Sequence, residues 1–133
     1  MAALTLEIVT QERRVATLQA DEVRAPGVLG GFGIRKDHTP FMSQLSAGRL
    51  TVVEGGREVN YAIGGGFLQV ADNKVIVLAD SAEEREEIDV ERAKRAFAEA
   101  TERLRSLAAG DENHLTEAAR VRRATARLEV AGK

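Results

Sequence analysis

The chain contains no cysteine, which excludes a disulfide scaffold and any thiolate metal centre and fits a reducing compartment. Aromatic residues occupy only 4% of its 133 positions, as one tyrosine and four phenylalanines, so there is little to stack on a sugar or grip a peptide. The two histidines, His38 and His114, lie in different halves. A zinc site or facial triad would then fall mostly to carboxylates, and a β-barrel oxygenase with two close histidines is excluded. No run of 18 apolar residues occurs, and residues 1–20 hold no apolar stretch of signal-peptide length, so neither a membrane span nor a secretory route is expected. With 19 basic and 21 acidic residues the net charge is −2, without the basic excess of a general nucleic-acid binder.

What is present divides the chain in two. Residues 1–80 hold 10 of the 12 glycines and both prolines, whereas residues 81–133 hold 12 alanines and only Gly110 and Gly132. In the first half apolar residues alternate at strand period, at Leu4, Leu6 and Ile8, at Val15 and Leu18, and at Leu50 and Val52. Gly55-Gly56 and Asp72-Asn73 read as two-residue hairpin turns, because such residues accept adjacent positive φ at low cost. Short strands with Gly-rich turns predict an antiparallel β-sandwich or flattened barrel, which buries one face of each strand.

From Ile88 the period becomes helical, with Phe97, Ala100, Leu104 and Leu107 on one stripe and Asp89 placed to cap the start. Ala108-Ala109-Gly110-Asp111 supplies a stop and a new N-cap, and Leu115, Ala118, Val121 or Arg122, Thr125 and Leu128 mark a second helix. The expected fold is therefore α+β: a sandwich over residues 1–84, then an antiparallel two-helix hairpin over residues 85–133. Its alanine-rich stripe buries little area per contact, so the hairpin is expected to be weakly held and able to open.

Few residues suggest catalysis. The glycines of Gly27-Val28-Leu29-Gly30-Gly31-Phe32-Gly33 are not spaced as a dinucleotide fingerprint, and Arg35-Lys36-Asp37 lacks the Lys-Ser/Thr of a phosphate loop, so turns between strands are expected there. Ser46 is not flanked as in a nucleophile elbow. The cluster Glu83, Glu84, Glu86 and Glu87 reads as a solvated linker face beside a helix start, with a metal or acid/base pair as the alternative. Arg120, Arg123 and Arg127 form a basic stripe, with Arg122 to its side. That stripe is either a solvated face or a surface for an acidic partner.

The series Pro26-Gly27-x-x-Gly30-x-x-Gly33-Ile34-x-x-x-His38-x-Pro40, Leu45-x-x-Gly48, Gly65-Gly66-Phe67 and Leu78-Ala79-x-x-Ala82-Glu83 closely resembles the epsilon subunit of the rotary F-type ATP synthase. The resemblance implies a non-catalytic rotor subunit of a proton-translocating enzyme, peripheral on the cytoplasmic face of the cell membrane through its complex. It implies a sandwich that meets the gamma subunit and the c-subunit ring, coupling their rotation to ATP synthesis. It implies helices that fold on the sandwich or extend toward the alpha/beta hexamer and inhibit hydrolysis, Arg120, Arg122, Arg123 and Arg127 then meeting beta-subunit acids. Gly33, His38 and Pro40 fall on the segment expected to face the c ring or gamma, the plainer role of His38 being to satisfy turn carbonyls.

No cofactor is required on this reading, and one regulatory ligand is implied. Ile88-Asp89-x-x-Arg92-Ala93 resembles the motif with which some bacterial members bind ATP and hold the hairpin folded, with Glu83 at the matching upstream position. Asp89 would meet the adenine amino group, Arg92 a phosphate, and Arg122 or Arg127 would complete the clamp in the folded form alone. Glu99 stands where nucleotide-binding members tend to carry arginine. The alternative needs no ligand: Asp89 is an N-cap and Arg92 an exposed first-turn residue.

Overall fold

Both expected turns form, Gly55-Gly56 at φ 58° and 78° and Asp72-Asn73 at φ 51° and 62°, and the strands are built around them. The computed structural model describes residues 4–132, so the expected domain limits at Met1 and Lys133 lie outside the described residues. Eight strands follow in chain order: β1 Leu4–Val9, β2 Arg14–Ala20, β3 Glu22–Gly27, β4 Gly30–Arg35, β5 Phe41–Glu54, β6 Arg57–Ala71, β7 Lys74–Ala79 and β8 Ala82–Glu84. A 3₁₀ turn at Arg85–Glu87 leads to helices α1 Val90–Ser106 and α2 His114–Ala131.

The sheet order is β2-β1-β7-β6-β5-β3-β4, with β8 also on β6. One pairing departs from the expected antiparallel pattern: β1 runs parallel to β7, from Thr5 opposite Lys74 to Val9 opposite Leu78. The rest of the sandwich joins these two strands, and a crossover that long permits a parallel neighbour. The long strands β5 and β6 serve both layers. Residues 66–71 of β6 pair with β7, whereas residues 61–63 pair with β8. The change falls at Gly64-Gly65-Gly66, where Gly65 and Gly66 take φ of 112° and 139° and a Cβ on Gly66 would strike the Leu78 carbonyl.

Leu4, Leu6, Ile8, Leu68, Val75 and Val77 from one layer meet Val23, Ile34, Leu50, Tyr61 and Ile63 from the other in a single core. Each large aliphatic side chain buried there contributes about 1.5–3 kcal/mol. A small second cluster of Ala62, Ile88, Ala126, Val130 and Ala131 seats α2 on the outer side of the β5–β6 layer, and α1 packs on α2.

Asp89 caps α1 as expected, its carboxylate accepting from the Arg92 amide at 3.1 Å. The start of α2 differs. Asp111 accepts from the Asn113 amide within the turn, and Asn113, with no side-chain cap bond, precedes the helix. The buried face of α2 is also not the expected one: Glu117, Ala124, Ala126, Val130 and Ala131 are covered, while Leu115 is 77% exposed. Alanine stands on several sides of α2, which lies between α1 and the sheet, so two contacts rather than one apolar stripe set its rotation.

Candidate functional site

Half of the acidic segment is not a solvated linker, although Glu86 and Glu87 are exposed as expected. Glu83 and Glu84 belong to strand β8, where Glu83 pairs with Arg127 of α2 and Glu84 accepts from the Tyr61 hydroxyl at 3.2 Å. Glu87 accepts from the Glu84 amide and pairs with Arg13 at 3.0 Å. These bonds close the 3₁₀ turn and fix the angle at which the chain leaves the sandwich for α1. Burial, then the charge and hydrogen bond of Glu84, push the Tyr61 hydroxyl up to about 12.

A cleft of about 270 Å³ opens where β8, the N-terminus of α1 and α2 meet, lined by Glu83, Glu87, Asp89, Arg92, Ala93, Ala96 and Arg127. The nucleotide-motif residues Glu83, Asp89, Arg92, Ala93 and Arg127 are thus brought together from segments up to 44 residues apart. Ile88 lies beneath them in the small core. Arg122 is elsewhere: it is exposed and, with the half-buried Arg123, borders a separate hollow over Gly64-Gly65-Gly66 and Asp80. Of the two arginines expected to complete a clamp, Arg127 is the one at the cleft. Glu99 is not on its wall, and pairs with Arg103 at 3.8 Å.

The basic stripe is not one free face in this folded state. Arg120 bonds to Glu117 at 2.7 Å, Arg127 is held by Glu83, and Arg123 packs its aliphatic part near Gly64. Nor do Gly33, His38 and Pro40 form one loop. His38 and Pro40 share the β4–β5 connection, while Gly33 lies inside β4 opposite Arg24, on the floor of a broad groove with Pro26, Gly31 and Gly48. Ile34 beside it is fully buried in the core. His38 Nδ1 lies 2.7 Å from the Thr39 carbonyl oxygen, so the turn-carbonyl role of this histidine is realised.

One surface escaped the sequence reading. Across β1, β7 and β6 the outward residues Val9, Leu78 and Phe67 stand in register, with Phe67 51% and Leu78 54% exposed. Met42 and Ile76 continue the same face through Gln69. This layer faces away from the one carrying α2, so the apolar face is open while the hairpin is docked. The unbroken run Val75-Ile76-Val77-Leu78-Ala79 is its signal, because a strand with one solvated face alternates. Gln69, Gln44 and Glu7 border the patch, so its apolar centre is Val9, Leu78 and Phe67, a candidate docking surface.

A sandwich with an exposed apolar patch, and a helical hairpin seated on its opposite side by a small apolar cluster and the Arg127–Glu83 pair, has the build of a binding subunit. The comparisons with known proteins agree. Residues 3–85 match the family model described as ATP synthase, Delta/Epsilon chain, beta-sandwich domain, and residues 86–132 match the long alpha-helix domain of the same chain. The ATP synthase epsilon chain of Anaeromyxobacter sp. (strain K) is 66% identical over 131 residues, covering 98% of this chain and 99% of that one. That of Myxococcus xanthus (strain DK1622) is 49% identical, covering 98% and 96%. A chain of the Euglena gracilis mitochondrial ATP synthase, solved as OSCP/F1/c-ring, superposes with a TM-score of 0.82 at 27% identity, covering 100% of this chain and 83% of that chain. The chain belongs to the ATP synthase delta/epsilon family, as a non-catalytic epsilon chain. Among the described residues no helix is long and apolar enough to cross a membrane.

Proposed function

We propose that this chain is the central-stalk subunit through which rotation of a c ring and gamma subunit is coupled to ATP synthesis in a proton-translocating enzyme, held peripherally at the cytoplasmic face of the membrane. The observation that carries this is the apolar face of Val9, Phe67 and Leu78, open on the side away from the hairpin. It fits the gamma subunit, and the β4–β5 loop with His38 and Pro40 fits the c ring or gamma. Phe67→Glu places a charge in the middle of that face, and burying it unpaired costs several kcal/mol. Reconstitution of ATP synthase stripped of this subunit tests the assignment: the variant is expected to fold and fail to join. Normal assembly of Phe67→Glu would refute it.

The hairpin is the inhibitory element on this reading. Folded, it occupies Arg127 with Glu83, and Arg103 of α1 lies 4.0 Å from Glu117 of α2. Opening releases Arg127 from Glu83, so that it can act together with Arg123 and the already exposed Arg120 and Arg122 on carboxylates of a beta subunit. Each exposed pair contributes only about 0–1 kcal/mol, so several are required. Alanine at all four positions is expected to raise hydrolysis by the assembled enzyme, most at low salt. Unchanged hydrolysis at every ionic strength would remove the role.

A second reading, regulation by ATP, is favoured by the convergence of Glu83, Asp89, Arg92, Ala93 and Arg127 on one cleft. The cleft is smaller than the roughly 300–1,000 Å³ of ordinary ligand sites, so it takes a base or phosphates with the remainder outside. Three carboxylates line it against two arginines, and Arg127 is already paired. Any binding is therefore weak. Calorimetric titration with Mg-free ATP reads it, with loss in Arg92→Ala expected. Absence of heat at millimolar nucleotide leaves Asp89 as a cap only.

A further inference from the structure

Asn73 reaches out of the β6–β7 turn and grips the β4–β5 loop. Its side-chain carbonyl accepts from the Asp37 amide at 2.6 Å, and its amide nitrogen donates to the Asp37 carboxylate at 3.2 Å. The two residues are 36 positions apart. The Asn73 backbone carbonyl also accepts from the Thr5 amide at 3.0 Å, which anchors the turn to β1. Both partners hold positive φ, 62° at Asn73 and 64° at Asp37, a conformation that Asn and Asp tolerate better than other side chains. The clasp therefore links two tight backbone bends in one fixed arrangement.

His38 follows directly. Its amide donates to the Arg35 carbonyl at 3.2 Å, and its ring stands 5.5 Å from that of Phe41, which in turn meets Phe32 edge-on at 5.4 Å. The Thr39 carbonyl oxygen, 2.7 Å from Nδ1, can only accept, so Nδ1 carries the proton. The neutral ring then offers Nε2 as a hydrogen-bond acceptor. We propose that Asn73 is a positioning residue which, through Asp37, sets the His38 imidazole with Nδ1 turned inward and Nε2 left to accept from an N–H or O–H donor on a partner. The partner part rests on the reading of this loop as a docking face.

The full chain tests this cleanly because it has only two histidines, and His114 on α2 serves as an internal reference in imidazole nitrogen NMR. Wild type is expected to show His38 in the fixed Nδ1–H form. Asn73→Gly keeps the positive φ of the turn and removes both bonds. In it the two His38 nitrogen signals are expected to converge as the tautomers interchange, Asp37 amide exchange to accelerate at least tenfold, and His114 to stay unmoved. Identical His38 signals in wild type and Asn73→Gly, or an Nε2–H tautomer in wild type, would overturn the proposal. Binding to ATP synthase stripped of this subunit separates the two layers: Asn73→Gly and His38→Ala are each expected to weaken it about tenfold. If the His38 signals move but both variants bind as wild type does, the clasp is upheld and the docking role of the loop is withdrawn.

Discussion

Replacing Glu117 by methionine should strengthen the hairpin. Glu117 is only 7% exposed between the helices; one carboxylate oxygen accepts from Arg120 at 2.7 Å and the other has no hydrogen-bond partner. Arg103 lies 4.0 Å away, and the side chains of Arg103 and Arg120 are 56% and 47% exposed, so water screens much of their attraction. Leaving a buried acceptor unsatisfied costs about 1–3 kcal/mol. The two half-exposed pairs return about 0–1 kcal/mol each. Methionine matches the length of the side chain, relieves that cost, gives up the pairs and adds a buried apolar segment of about 1 kcal/mol. The net expectation is a hairpin more stable by about 2 kcal/mol, the centre of a range of about 0–4 kcal/mol. Native-state amide exchange reads this directly: α2 amides that exchange through hairpin opening should slow by about tenfold for each 1.4 kcal/mol. On the proposed reading of the open hairpin as the inhibitory form, the same substitution should raise hydrolysis by the assembled enzyme, because the folded form is favoured. Faster α2 exchange in Glu117→Met than in wild type would refute the reasoning and make the Arg103–Glu117–Arg120 contact a latch.

The single tyrosine allows a second test by absorbance: Tyr61 should ionise near pH 12, and Glu84→Gln should bring it down. Since its folded-state value is raised above 10, its stabilising contribution is complete below about pH 10 and is lost as pH rises through the folded value. A Tyr61 midpoint at 10 would contradict the burial. Arg127→Ala removes the partner of a carboxylate that is itself only 29% exposed, and should loosen the hairpin by about 1–2 kcal/mol, more than a surface pair would. Exchange of the C-terminal half of α2 unchanged by that substitution would count against it. Truncation after Glu84 keeps β8 on β6 and the main core intact, so residues 1–84 should unfold in one cooperative transition. Molten spectra would show that the hairpin is needed for the sandwich to fold.

Several features were legible in the sequence because they depend on residues a few positions apart. The turns at Gly55-Gly56 and Asp72-Asn73, the alternation of Leu4, Leu6 and Ile8, and the Asp89 cap all follow from local φ preference, side-chain period or a single short hydrogen bond. The division into a glycine-rich sandwich and an alanine-rich hairpin followed from composition, because glycine suits turns between strands and alanine suits helix interiors. Local chemistry could not reveal the parallel pairing of β1 with β7, which the closure of the whole sandwich decides. Nor could it choose the buried face of α2, since alanine lines that helix on several sides and burial gains differ little between rotations. The cleft depends on Glu83 meeting Arg127, 44 residues away, and the His38 loop on Asp37 meeting Asn73, 36 residues away. Such charged and polar side chains are equally satisfied by water in the open chain. Only the tertiary arrangement, set mainly by burial of the apolar core, brings each within reach of its partner.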